Sequence, residues 1–256
     1  MDQPILEHFI RLVAIRQTTL REASHNETVK ALTTYFRSFH REVSRDRIET
    51  ILSDFARRLG EPGTTADQTR AETLAEMQQE LEFKDQLLLY MMLIDLSVQS
   101  PFMAPVIRPE SLNKIFGLRR EDADRMRLFI TTDDPVAGNI PDCIIFSSGQ
   151  DDQSEKLEGR WIEDRIQDQP GGDSFLEIEN FKGKLLVMYM KPIQSFIVRC
   201  IDNEGLVVDG MKLSHCRFKI IGAGSSILYN GNPILTFSEV KRRYLQHFAR
   251  QTLSLS

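Results

Sequence analysis

The sequence predicts an α+β chain of two domains: an all-α helical bundle, then an antiparallel β sandwich, closed by a short C-terminal helix. Three observations predict it. Apolar residues recur at steps of three and four as far as residue 130, the signature of amphipathic helices. From residue 143 onward, short runs rich in β-branched and aromatic residues alternate with turn formers. Between them TTDDPVAGNIPD (131–142) has the composition of a linker. The expected divisions are therefore a bundle over 1–130, the linker, a sandwich over 143–237 and a helix over 238–256. At 256 residues the chain is long enough to bury two cores.

Pro4 opens the first expected helix, where its fixed φ suits the first turn, and Ile5, Phe9, Leu12 and Val13 form its apolar stripe. Val29, Leu32, Phe36 and Phe39 line a second helix, and Ile48, Ile51, Phe55 and Leu59 a third. GEPGTTAD (60–67) breaks the chain before a helix over 68–81. The next segment, about Lys84 to Val98, contains the run LLLYMMLI, closed by Asp95. It is apolar nearly all round, so neighbours must surround it, and it is expected at the centre of the bundle. Three prolines interrupt SPFMAPVIRP. PESLNKIFG and REDADRMRLFI then supply the last two of seven helices, the second with acidic residues in its first turn, where the helix dipole favours them.

The expected strands are CIIF (143–146), FLEIE (175–179), KLLVMYM (184–190), SFIVRCI (195–201), GLVV (205–208) and CRFKII (216–221). Asp209-Gly210 and Asn230-Gly231 are two-residue hairpin signals. Gly205, Gly210, Gly222 and Gly224 are expected to supply positive φ at hairpin corners, with Asn203 and Asp209 as their turn partners. SEVKRRYLQHFAR reads as a helix with Val240, Tyr244 and Phe248 on one side and without packing of its own, which suggests a chain that continues in its natural context.

Composition narrows the function classes. A net charge of −5 gives no nucleic-acid footprint. The longest apolar run has eight residues, whereas crossing a bilayer takes roughly 20. Three cysteines (Cys143, Cys200, Cys216) suit a reducing cytoplasm. GAGSS (222–226) starts like a dinucleotide fingerprint, yet Ile227 holds the third glycine's place and no helix follows, so turn chemistry is expected there and no nucleotide cofactor. The five histidines never fall at i,i+4 and no CxxC occurs, which leaves no metal motif. His215 and Cys216, if in a strand, point to opposite faces. Residues 150–180 hold ten carboxylates against three basic side chains without EF-hand spacing, and read as a solvated loop. Lys241, Arg242 and Arg243 read as a solvated helix face.

Two stretches carry a resemblance: FIVRCIDNEGLVVDGMKLSHCRFKIIGAGSSI (196–227) and YNGNPILTFSEV (229–240). Their order of aliphatic strand, tight hairpin, strand and GSSI turn resembles the variant forkhead-associated-type domain that follows a tellurite-resistance TerB-like bundle in some large bacterial ABC transporter ATP-binding proteins. The helical pattern from Ile5 to Ile130 is similar to that bundle. The resemblance implies a non-catalytic regulatory or docking region, cytoplasmic and at the inner face of the membrane, whose partners are a protein or the ATPase and membrane domains of the same polypeptide. TerB-like bundles carry acidic loops proposed to hold metal; the matching RQTTLRE (16–22) and QSPFMAPVIRPE (99–110) have one carboxylate each. Forkhead-associated domains read phosphothreonine through an arginine after glycine and a later serine and histidine. Here Gly159-Arg160 is present, and no SxxH follows before Asn203. The alternative expectation is a stand-alone adaptor binding a phosphorylated or acidic peptide through Arg160, Arg199 and Lys212, since a phosphate needs clustered cationic donors.

Overall fold

A computed structural model describes residues 3–20, 25–38, 43–59, 61, 65–100, 109–132, 140–147, 175–178, 181–201 and 205–254. The chain is α+β and divides into two compact units, Met1–Thr131 and Thr132–Ser256.

Seven helices are described in the first unit: α1 (Gln3–Leu20), α2 (His25–Ser38), α3 (Arg45–Leu59), α4 (Ala66–Glu80), α5 (Phe83–Gln99), α6 (Pro109–Ile115) and α7 (Arg120–Thr131). α4 begins after Thr65, which is itself extended and whose hydroxyl accepts the Gln68 N–H at 3.2 Å, a side-chain N-cap. α1 buries Ile5, Leu6, Phe9, Ile10, Leu12 and Val13 against α3, α4 and α5. Phe9 stacks on Tyr35 at 5.6 Å and meets the edge of Phe36 at 5.5 Å, which locks α1 to α2. On α5, Leu87 and every residue from Leu89 to Leu96 are buried, so a helix apolar all round is enclosed all round. At the start of α7 the Asp122 carboxylate is 4% exposed and bonded by Arg119 and Arg125. Burial opposes its charge, but the two guanidinium groups outweigh that and hold its carboxyl below the ordinary range.

The second unit has two sheets. One contains β1 (Cys143–Ser147), β2 (Phe175–Glu177), β3 (Lys184–Met190), β4 (Ser195–Ile201) and β7 (Phe218–Ile221), in the order β2-β1-β3-β4-β7. The other contains β5 (Leu206–Val208), β6 (Met211–Lys212), β8 (Ser226–Tyr229) and β9 (Asn232–Thr236), in the order β6-β5-β8-β9. All pairs are antiparallel except β1 with β2, which is parallel (Ile145 opposite Phe175) and departs from the all-antiparallel expectation. The three-residue β2 occupies an edge of the first sheet. The strands β6, β8 and β9, unassigned by the sequence reading, complete the second sheet. Pro233, which has no N–H for a ladder, sits on the edge strand β9 beside a register shift between Ile227 and Leu228.

One interior lies between the sheets. Ile144, Phe146, Leu185, Val187, Phe196, Val198, Cys200 and Ile221 fill it from the first sheet, and Leu206, Val208, Ile227 and Leu235 from the second. On the opposite face of the first sheet, Ile145, Leu186, Met188, Ile197 and Ile201 are also buried. Burial on both faces explains why β1, β3 and β4 read as continuous apolar runs instead of alternating ones.

The final helix, α8 (Phe237–Ser254), belongs to this interior, contrary to the expectation of a helix without packing. Val240 is fully buried, and Tyr244 packs on Phe196 at 5.2 Å, on Tyr189 at 5.7 Å and on Phe248 at 4.5 Å. Its start is a capping box: the Thr236 hydroxyl accepts the Glu239 N–H at 3.3 Å, while Glu239 accepts the Thr236 N–H at 2.8 Å. Arg243 also departs from its expected solvated role. It lies over the Phe146 ring at 5.9 Å and donates to the Glu177 carbonyl at 2.9 Å, joining α8 to β1 and β2.

Both hairpin signals form the turns their residues dictate. Asp209 and Gly210 have φ of +49° and +74°, and Asn230 and Gly231 +50° and +82°, the left-handed pair that a type I′ turn needs. Gly210→Val should therefore destabilise the second unit by about 2 kcal/mol through backbone strain alone, since a Cβ there meets nothing within 4 Å. Calorimetry should show the second unit's transition lowered and the α1–α7 transition unmoved; an equal shift of one shared transition would contradict separate cores.

Candidate functional site

The expected phosphate contacts do not assemble among the described residues. Arg160 lies outside them, as does Asn203. Arg199, on β4, is 2% exposed and donates to the Thr132 carbonyl at 2.5 Å, so its guanidinium serves the interior of its own unit. Lys212 is exposed on β6, an edge strand of the other sheet. Arg199, expected as a phosphate contact, instead shares a strand face with the buried Ile197 and Ile201.

The turn residues meet instead in a structural junction. The chain passes from the first sheet to the second after β4, back after β6, and across again after β7. Gly222 to Ser226 make the last crossing, where the Ser225 N–H donates to the Gly222 carbonyl at 3.0 Å. The Asp209 carboxylate accepts from the Ser226 N–H and the Ser225 hydroxyl, each at 3.0 Å, with Lys219 Nζ at 3.4 Å. Lys219 in turn donates to the Val208 carbonyl at 2.9 Å. The first hairpin is thereby tied to the last crossing. Of the four glycines expected at positive φ, Gly210 and Gly224 have it and Gly205 and Gly222 do not. Gly205 is required for closeness, since a Cβ there would sit 2.3 Å from Asn230 Oδ1.

His215 and Cys216 also depart from expectation. They lie in a turn, with Cys216 at φ +58°, so the side chains meet: Cys216 Sγ is 3.1 Å from His215 Nε2. That is the reach of a nucleophile and a base. Cys143, in contrast, is buried, and burial pushes its thiol up to about 12.

The concavity that stands out among the described residues lies in the helical unit, between α2 and α5. It has a volume of about 350 Å³ and is lined by Glu27, Lys30, Ala31, Thr34, Tyr35, Leu96, Gln99 and Ser100. Beneath its wall Asp95 is 4% exposed; its Oδ2 lies 3.0 Å from Tyr35 Oη, and its Oδ1 accepts from Gln99 Nε2 at 2.7 Å. Tyr35 Oη is also 3.0 Å from the Met92 carbonyl. The sequence signal for this network was present as the single charge ending the apolar run 87–94, but of its partners Gln99 is one turn further along α5 and Tyr35 comes from a helix 60 residues away. No three His, Cys, Asp or Glu side chains among the described residues converge as a metal site, and no described helix is long and apolar enough to cross a membrane.

No family model matches this chain, and comparison with curated proteins and with solved structures found no match.

The Asp209 junction gives a pH test. Burial raises the carboxyl's pKa, but the Ser226 N–H, the Ser225 hydroxyl and Lys219 more than offset that, so the folded value lies below the ordinary one. A depressed carboxylate contributes stability above its unfolded pKa of about 3.9, and loses that contribution as pH falls through the lower folded value. Asp209→Asn should cost about 1 kcal/mol at pH 7, a figure discounted for a side chain 35% exposed. Chemical denaturation of both proteins should show the gap closing below about pH 4; a gap independent of pH would refute the assignment.

Proposed function

We propose that this chain is a non-catalytic regulatory or docking region of an ABC transporter ATP-binding protein, working at the inner face of the membrane through the other domains of that protein. The observation that carries the reading is the order of architecture along the chain. A helical unit precedes a two-sheet unit, as in the resemblance, and the resembling stretch, residues 196–240, coincides with β4 to β9 and the capped start of α8. In this reading the helical unit is TerB-like and the two-sheet unit forkhead-associated-like. The GSSI segment is the crossing pinned by Asp209, and its work is to shape the fold.

A docking role suits a unit whose tight turns are occupied with one another and with the start of α8, where the Phe237 N–H donates to the Ser225 carbonyl at 2.9 Å. The adaptor reading draws less support, because Arg199 is committed to the interior.

Two measurements test the proposal. Titration of the purified chain with ATP should give no saturable heat, and micromolar binding would contradict a non-catalytic region. The coding frame that contains this chain should also encode a GxxxxGK[ST] segment, whose glycines and lysine cradle nucleotide phosphates. A frame without one would overturn the transporter reading.

A further inference from the structure

Between β6 and β7 the chain turns through Ser214 to Arg217, closed by the Arg217 N–H on the Ser214 carbonyl at 3.0 Å. Positive φ at the third residue, Cys216, is the geometry of a type II turn, where glycine is usual. The turn is held from β4. The Cys216 N–H donates to the Cys200 carbonyl at 2.8 Å, and the Cys200 N–H donates to the Arg217 carbonyl at 3.1 Å. In an extended chain, neighbouring side chains point to opposite faces. The left-handed residue cancels that alternation and brings Cys216 Sγ to 3.1 Å from Nε2 of His215.

The three thiols of the chain divide by environment. Cys143 and Cys200 are buried, and burial disfavours the thiolate, which is the form that reacts. Cys216 is half-buried and His215 exposed, so their contact lies at the surface. An ordinary thiol is only roughly a few per cent thiolate at neutral pH, and a base within hydrogen-bond reach relieves that limit. Because the other two thiols are enclosed, a sulfur that pairs with Cys216 has to come from outside the chain.

We propose that Cys216 is a thiol-modification site at which His215 acts as base and a low-molecular-weight disulfide is the co-reactant. The thiol proton passes to Nε2 of His215. The Cys216 thiolate attacks one sulfur of the disulfide, and a new S–S bond forms as the old one breaks. The departing thiolate takes the electron pair and then the proton held by His215. The product is a mixed disulfide at the surface of the second unit, reversed by the same exchange with a free thiol. This site is independent of the docking role, and its failure would leave that reading untouched.

The test uses the whole chain, fully reduced, with oxidised glutathione as the probe, and reads intact mass and peptide maps over time. A single glutathionyl group should appear on the native chain, at Cys216, and dithiothreitol should remove it. Cys143 and Cys200 should react only after unfolding, and Cys216→Ser should abolish the native adduct. His215→Gln should slow the reaction at pH 7 by about threefold to tenfold, the net of a smaller thiolate fraction and a more nucleophilic sulfur. His215 is exposed, so the unfolding temperature of that variant should not move. At about pH 10, where a thiol ionises without a base, the two rates should converge; a mere loss of access would slow the variant at both pH values. Equal rates for the parent and His215→Gln at pH 7 would overturn the proposal, as would a deficit that persists at the higher pH. So would a native adduct on Cys143 or Cys200 instead, or a disulfide-linked dimer of this chain in place of the mixed disulfide.

Discussion

The apolar interior between the two sheets is the constraint on which the second unit depends. No strand can bury its face without a partner sheet, and after β4 the chain places β5 and β6 in the second sheet, β7 in the first, and β8 and β9 in the second again. The chain must therefore cross repeatedly within a short length, and the tight turns exist for those crossings. Their polar backbone is satisfied locally, by Asp209 on Ser225 and Ser226 and by Asn230 on Gly205, because a crossing that left buried N–H groups unpaired would cost more than the burial returns. α8 belongs to the same solution. Tyr244 and Val240 join the interior while Arg243 reaches the first sheet's edge.

The helical unit solves a different problem. A helix buried on every side must place any polar group it carries against a partner of its own unit. Asp95 meets this through Tyr35 and Gln99. On α7 the buried Asp122 is likewise satisfied, through Arg119 and Arg125. Each carboxylate fixes side chains that an apolar residue would leave loose. At Asp95 the fixed side chains happen to form the wall of a cavity.

Periodicity made the helices and the long strands legible, because local repeat and burial agree there: α5 is apolar nearly all round, and β3 and β4 are apolar over most of their length. The sandwich's turn residues were legible too, since Asp-Gly and Asn-Gly have few other uses. What escaped was decided at long range. Parallel pairing of β1 with β2 joins segments separated by an acidic stretch of the chain. Arg199 reads as surface until both faces of its sheet are known to be buried. The packing of α8 depends on Phe196 and Tyr189, some fifty residues earlier. The capping box Thr236-Phe237-Ser238-Glu239 was the exception, a local signal that could have placed the helix start. The cavity residues Tyr35, Asp95 and Gln99 left only one trace, a lone acid in an apolar run.

The central claim is that two sheets and the last helix share one cooperative interior. Native-state hydrogen exchange tests it most directly, by comparing amides of β3 and β4 with those of α8 near Val240 and Tyr244. The account predicts that all of them exchange only through the same global opening, with equal free energies and equal denaturant dependence. Exchange of the α8 amides at the rate of a frayed terminus, while β3 and β4 stay protected, would contradict it.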